Sequence, residues 1–155
     1  MINSFRGEYA FLSNFYEANV LFNVITYVNN EAAFQAQKTL DENERMRFAY
    51  MDPRRAKAKG KQVKLRPDWE NVKIQIMYEI CTAKFMQHPD LLQKLLETGD
   101  EYLEEGNNWG DRFWGTVNGV GQNNLGKILM KIRSDLKFAK IMNMSLIRGV
   151  TYDTF

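Results

Sequence analysis

Glu31, Gln35 and Lys38 stand four and three residues apart in the run Glu31-Ala32-Ala33-Phe34-Gln35-Ala36-Gln37-Lys38. On an α-helix, positions i, i+4 and i+7 fall along one face, so a carboxylate, an amide and an amine would project into the same space. That set suits acid–base work with an amine able to act as a nucleophile. A plainer explanation is electrostatic, because Glu in a first turn and Lys near a last turn both complement the helix dipole.

A second group lies in Gly106-Asn107-Asn108-Trp109-Gly110-Asp111-Arg112-Phe113-Trp114-Gly115. Two tryptophans and a carboxylate fall among glycines and asparagines that do not build regular structure. Aromatics on such a loop can serve as platforms for a flat base. The same residues can equally form a packed loop cap, with Asp111 making turn hydrogen bonds. A third group, Gly119-Val120-Gly121-Gln122-Asn123-Asn124-Leu125-Gly126-Lys127-Ile128, leads glycines into a helix start, where free N–H groups would seat a phosphate. It is not a P-loop: Gly121, Gly126 and Lys127 keep that spacing, but Ile128 replaces the Ser or Thr that holds magnesium. The glycine spacing does not fit a dinucleotide fingerprint either.

The remaining chemistry is sparse. With one His (His88) and one Cys (Cys81), the usual nitrogen and sulfur ligands of a zinc site cannot be assembled, and a disulfide framework is excluded. Gln87-His88-Pro89-Asp90 reads as a break between helices, and Cys81 as a small core residue. The net charge of +2 hides an uneven distribution. Arg54, Arg55, Lys57, Lys59, Lys61, Lys64 and Arg66 form a basic stretch, and Glu97, Asp100, Glu101, Glu104 and Glu105 an acidic one. Either is a solvated surface, or the basic one steers phosphate or nucleic acid.

Positioning these groups falls to one domain, residues 1–155, with its core over about 5–139. The chain is 155 residues long, 45% hydrophobic and 26% charged, enough to bury a core without staples. No apolar run approaches the ~20 residues of a membrane span. Residues 1–7 lack the pattern of a signal peptide, so the expected location is cytoplasmic. Residues 18–28 predict a hairpin, Asn29-Asn30 a helix cap, and Glu31–Thr39 the helix that follows. Further helices are expected over Asp41–Met51, from Pro53, and over Asp68–Phe85 with Asp68 as cap. In that last helix Trp69, Val72, Ile76, Ile80 and Ala83 form an apolar stripe, widened by Ile74, Met77, Cys81 and Phe85. Two more run from Pro89 to Thr98, stopped by Gly99, and from near Asn123 with Leu125, Ile128, Leu129, Ile132, Leu136 and Ala139 on one face. The tail 140–155 has no assignment. The fold class is helix-rich α+β: a single compact domain with a small antiparallel sheet.

In order along the chain, these blocks resemble those of the YbiA-like, or NADAR, family. Leu12-Ser13-Asn14-Phe15 is similar to its "LSNF" block and Glu31 to Lys38 to its "SEHxFQAxK" helix. Leu65-Arg66-Pro67-Asp68-Trp69 resembles "LRxDW". Asp111 to Gly115 and Gly119 to Arg133 resemble its "DxxWG" and "GxGxNxLGxxLMxxR" blocks. The resemblance implies an N-glycosidase that hydrolyses the ribose C1–N bond of a phosphorylated N-riboside. Its substrate would be a ribosylamino-pyrimidine phosphate of riboflavin synthesis, or ADP-ribose on guanine in nucleic acid. No metal and no cofactor are implied. Catalysis would fall to Glu31, Lys38 and Asp111. Substrate binding would fall to Arg6, Asn14, Gln35, Trp109, Trp114 and Gly115, with Gly121 and Asn123 on the phosphate side. One departure stands out: Ala32 replaces the family's usual histidine, which would either assist proton transfer or pack. The alternatives are a non-catalytic module binding ADP-ribose or NAD, and a nucleic-acid-binding protein using the segment Arg54 to Arg66. Oligomeric state is left open.

Overall fold

A run of β-branched and aromatic residues folds back on itself between residues 17 and 29. The computed structural model describes residues 1–153, with side chains through residue 143. Strands β1 (Glu17–Phe22) and β2 (Ile25–Asn29) pair antiparallel, with Val20 opposite Tyr27 and Phe22 opposite Ile25. The two-residue turn places Asn23 and Val24 at φ 48° and 66°, the left-handed pair that matches the strand twist. Val20 and Tyr27 are fully buried, so this register puts one face of the hairpin into the core.

Helix α1 (Asn30–Ala36) follows at once, and all seven of its residues are buried. Asn29 caps it by accepting from the Ala32 N–H at 2.7 Å. The expected extension to Thr39 does not form. The Lys38 N–H turns to the Gln35 carbonyl, a tight three-residue closure, and the Lys38 carbonyl takes the Arg66 N–H at 2.7 Å. Helix α2 (Glu42–Met46) is also shorter than expected. The chain must return to the hairpin, where Ala49 O accepts from Val28 N–H and Met51 O from Asn29 Nδ2.

Helix α3 (Pro53–Gly60) begins on proline with Asp52 bonded to the Arg55 N–H. Helices α4 (Trp69–Gln87) and α5 (Pro89–Glu97) meet at His88, whose ring nitrogen lies 2.6 Å from the Asn19 carbonyl of β1. Asp68 precedes α4 but makes no cap bond, because Arg66 holds its carboxylate through two hydrogen bonds. Along α4 Trp69, Ile76, Met77, Ile80, Cys81 and Phe85 are buried, whereas Ile74 faces outward and leaves the expected stripe. Helix α6 (Asn124–Asp153) packs against α4 and α5 through Leu125, Ile128, Leu129 and Ile132, but Ala139 is exposed. The unassigned tail thus continues this helix through Asp153, and residues 154–155 lie outside the described residues. The result is the helix-rich α+β class, with two strands and one core. Among the described residues no helix is long and apolar enough to cross a membrane.

Lys84 of α4 is a buried cation within that core. Its Nζ donates to the carbonyls of Phe11 at 2.6 Å and Ser13 at 3.1 Å, tying down the segment that carries Asn14. Burial pushes its pKa down from 10.5 to about 8. Between those values the unfolded chain binds the extra proton, so stability contributed at this site rises with pH across that window. The stability of the parent relative to Lys84→Met, measured by urea unfolding, is expected to improve by about 2 kcal/mol from pH 7.5 to pH 10. A difference that stays constant with pH would refute it.

Candidate active site

The first turn of α1 directs Glu31 into a cavity of about 750 Å3, together with Gln35 one turn on and Lys38 beyond the helix end. Asn14 fixes the start of that helix, its backbone carbonyl accepting from the Glu31 N–H at 3.1 Å. The Asn14 side chain lines the cavity but is engaged in the wall, bonding Asn30 Nδ2, the Cys81 thiol and Met77 Sδ. Gln35 Nε2 donates to Glu31 Oε1 at 2.9 Å, confirming that these two share a face. Gly60 of α3 fits against Gln35 so closely that a Cβ there would collide with Gln35 Oε1.

Burial raises the pKa of Glu31 above the ordinary carboxylate range, and the charge of Asp111 adds to this. The Gln35 hydrogen bond, Lys57 and Lys38 oppose it. The amine of Lys38 moves the other way. Burial lowers its pKa, Glu31 resists, and the charges of Lys61, Lys57 and Lys73 lower it further. Those cations are not scattered over the surface. Arg54 and Lys57 of α3 and Lys61 at its C-terminal cap recur at helical spacing and line the cavity with Lys73 of α4. Part of the basic stretch is therefore cavity lining, as its three-to-four-residue spacing could have told.

Arg6, Trp109, Asp111 and Trp114 also line the cavity. Asp111 Oδ1 accepts from the N–H groups of Phe113 and Trp114, so the turn-forming role and the cavity position coexist. Trp114 is wedged edge-on against Phe34, which also packs on Trp69. Trp109 is 52% exposed at the rim and is free to stack on a planar ligand.

Three of the expected binding residues lie outside the cavity lining. Gly115, expected to bind substrate, and Gly121 and Asn123, expected on the phosphate side, shape the loop before α6 instead. The N–H groups of Gln122, Asn123, Asn124 and Leu125 already bond the carbonyls of Arg112, Gly115, Phe113 and Trp114. Those four donors are therefore already taken and do not offer themselves to an anion. Asn123 Oδ1 accepts from the Glu105 N–H, and its Nδ2 donates to the Leu103 carbonyl. Gly121, at φ 152°, packs on the backbone of Arg112, Gly115 and Thr116.

Glu105 is the residue that sequence reasoning passed over as part of an acidic surface run. It lines the cavity, and its Oε2 is buried with no partner among the described residues. Burial pushes its pKa up to about 7, with the charges of Asp111 and Glu31 adding to the rise. Its position beside the glycine loop was the one available signal. Ala32, where the family histidine would stand, is fully buried in the core and does not line the cavity.

A family model described as the NADAR domain matches residues 3–137. An N-glycosidase of Nostoc punctiforme is 37% identical over 136 residues, covering 83% of this chain and 86% of that protein. A riboflavin biosynthesis protein of Vibrio vulnificus is 32% identical over 134 residues, which span 84% of this chain and 36% of that protein. The NMR structure of Escherichia coli YbiA, a protein named as an N-glycosidase, superposes with a TM-score of 0.79 at 34% identity. That match covers 91% of this chain and 89% of the other. With a family model matching most of its length and the fold shared with a relative, this chain belongs to the NADAR domain family.

Proposed function

We propose that this chain hydrolyses the ribose C1–N bond of a phosphorylated N-riboside. It is a hydrolase acting on N-glycosyl bonds, as the names of its relatives say of them. The observation that carries the substrate class is one cavity lined by carboxyls, the Lys38 amine and a set of further cations, Arg6, Arg54, Lys57, Lys61 and Lys73. As C1–N breaks, positive charge develops on the sugar, and Glu31 lies where it can stabilise that charge. Neutral Lys38 Nζ adds to C1 as the base leaves. Ring opening gives a Schiff base, and water hydrolyses it to the free sugar and the amine. Glu31 moves protons between water and the leaving base. Asp111 holds a sugar hydroxyl or orients Lys38, and Trp109 stacks on the base. Phosphate is held by Arg6 and the wall formed by Arg54, Lys57 and Lys61, rather than at the start of α6.

The relative named for riboflavin biosynthesis favours a ribosylamino-pyrimidine phosphate, and the cations lining the cavity suit the phosphates of an ADP-ribosylated base in nucleic acid as well. Base release, followed by chromatography from both substrates in parallel, tests the reading. Release from one, lost on Glu31→Gln, is the expected result and selects the substrate. No release from either by folded protein that binds ADP-ribose would move the assignment to a binding module. Ala32, the one feature that favoured such a module, is not a cavity residue.

A further inference from the structure

We infer that Glu105 is a third catalytic carboxyl of this cavity, and that it delivers the proton with which the base nitrogen departs. The inference rests on the N-glycosidase reading and divides its proton work between two residues. Glu31 Oε1 is engaged by the Gln35 amide as a hydrogen-bond acceptor, an arrangement suited to taking a proton from water. Glu105 Oε2 has no donor among the described residues although it is buried, so an ionised oxygen there would have neither solvent nor partner. The groups facing it are Glu31 of α1, Asp111 of the loop, Arg6 of the N-terminal segment and Lys57 of α3. Burial first, then the two carboxylates, favour its protonated form and the two cations oppose it, leaving a pKa of about 7. That value suits a general acid at neutral pH.

The residues of the glycine-rich blocks that do not line the cavity hold Glu105 in place. Its N–H is bonded by Asn123 Oδ1 at 2.9 Å, and its carbonyl accepts from Thr116 N–H at 2.9 Å. Gly115 gives its stem room: a Cβ at 115 would meet the Glu105 carbonyl oxygen and lie 2.8 Å from Glu105 Cγ. In the step itself, Lys38 Nζ forms its bond to C1 as the C1–N electron pair goes to the base nitrogen, which takes the proton of the Glu105 carboxyl. Glu105 is left as a carboxylate, Glu31 takes a proton from the water that then hydrolyses the Schiff base, and proton exchange once the base has left restores both.

Each candidate substrate is paired with an analogue whose base carries an electron-withdrawing nitro group and so leaves with less help. Glu105→Gln is expected to slow the parent substrate by about 100-fold and its nitro analogue by less than about fivefold. It should also abolish the fall in kcat/KM that the unmodified enzyme shows above pH 7 on the poorer leaving group. Equal losses on both substrates, or rates within about threefold of the unmodified enzyme on both, overturn the assignment. Should Glu105→Gln fail to fold by circular dichroism, the unmodified enzyme decides. A high-pH limb confined to the poorer leaving group supports Glu105, and the same limb on both overturns it. No release from any of the four by the unmodified enzyme overturns the N-glycosidase reading itself, and this assignment with it.

Discussion

Sodium borohydride is expected to trap a sugar adduct on the unmodified enzyme during turnover, and Lys38→Arg is expected to yield none. Lys38→Ala and Glu31→Gln should each lower kcat/KM for base release by about 10²–10⁴-fold while leaving the fold intact. The physical basis is the environment of the amine. Burial and three neighbouring lysines lower its pKa, and only Glu31 opposes them. Lys57→Ala or Lys61→Ala removes one of those cations, so the pKa of Lys38 rises and the ascending limb of kcat against pH moves to higher pH. An adduct that still forms on Lys38→Arg would assign Lys38 to binding phosphate and leave Glu31 to activate water directly.

Gly121→Ala is expected to destabilise the protein by about 3 kcal/mol or more. Its φ of 152° lies in a region that side chains avoid, and a Cβ would run into the Gly115 carbonyl oxygen and the Cα atoms of Thr116 and Arg112. All three are backbone atoms that cannot swing aside, so strain and overpacking add. Urea unfolding measures this directly. A variant of unchanged stability with a raised KM would instead restore the phosphate-seat role to this glycine.

The polar face of α1 that lines the cavity was legible because it is local: Glu31, Gln35 and Lys38 are linked by helical spacing alone, and Asn29 is a capping residue in the right place. The hairpin was legible for the same reason. What escaped depends on distant partners. The N-terminal N–H groups of α6 looked free until residues 112–115 came back to occupy them. Glu105 looked like surface charge because its place against Gly115 and its bond to Asn123 depend on residues ten or more positions away, neither of which marks it in the sequence. Helix α2 stopped short because residues 49–51 are recruited by β2, a long-range demand that periodicity does not register.

The cavity draws its walls from Phe5 to Leu125, most of the described chain. Glu31 and Lys38 emerge early in synthesis. The loop carrying Asp111 and Glu105, and the Asn123 bond that sets Glu105, come some 70 to 90 residues later. A nascent chain therefore carries its amine and first carboxyl while the space that would shift their pKa values does not yet exist. The proposed chemistry is thus gated by completion of the fold, because an unfinished or misassembled chain lacks the burial and the neighbouring lysines that lower the Lys38 pKa.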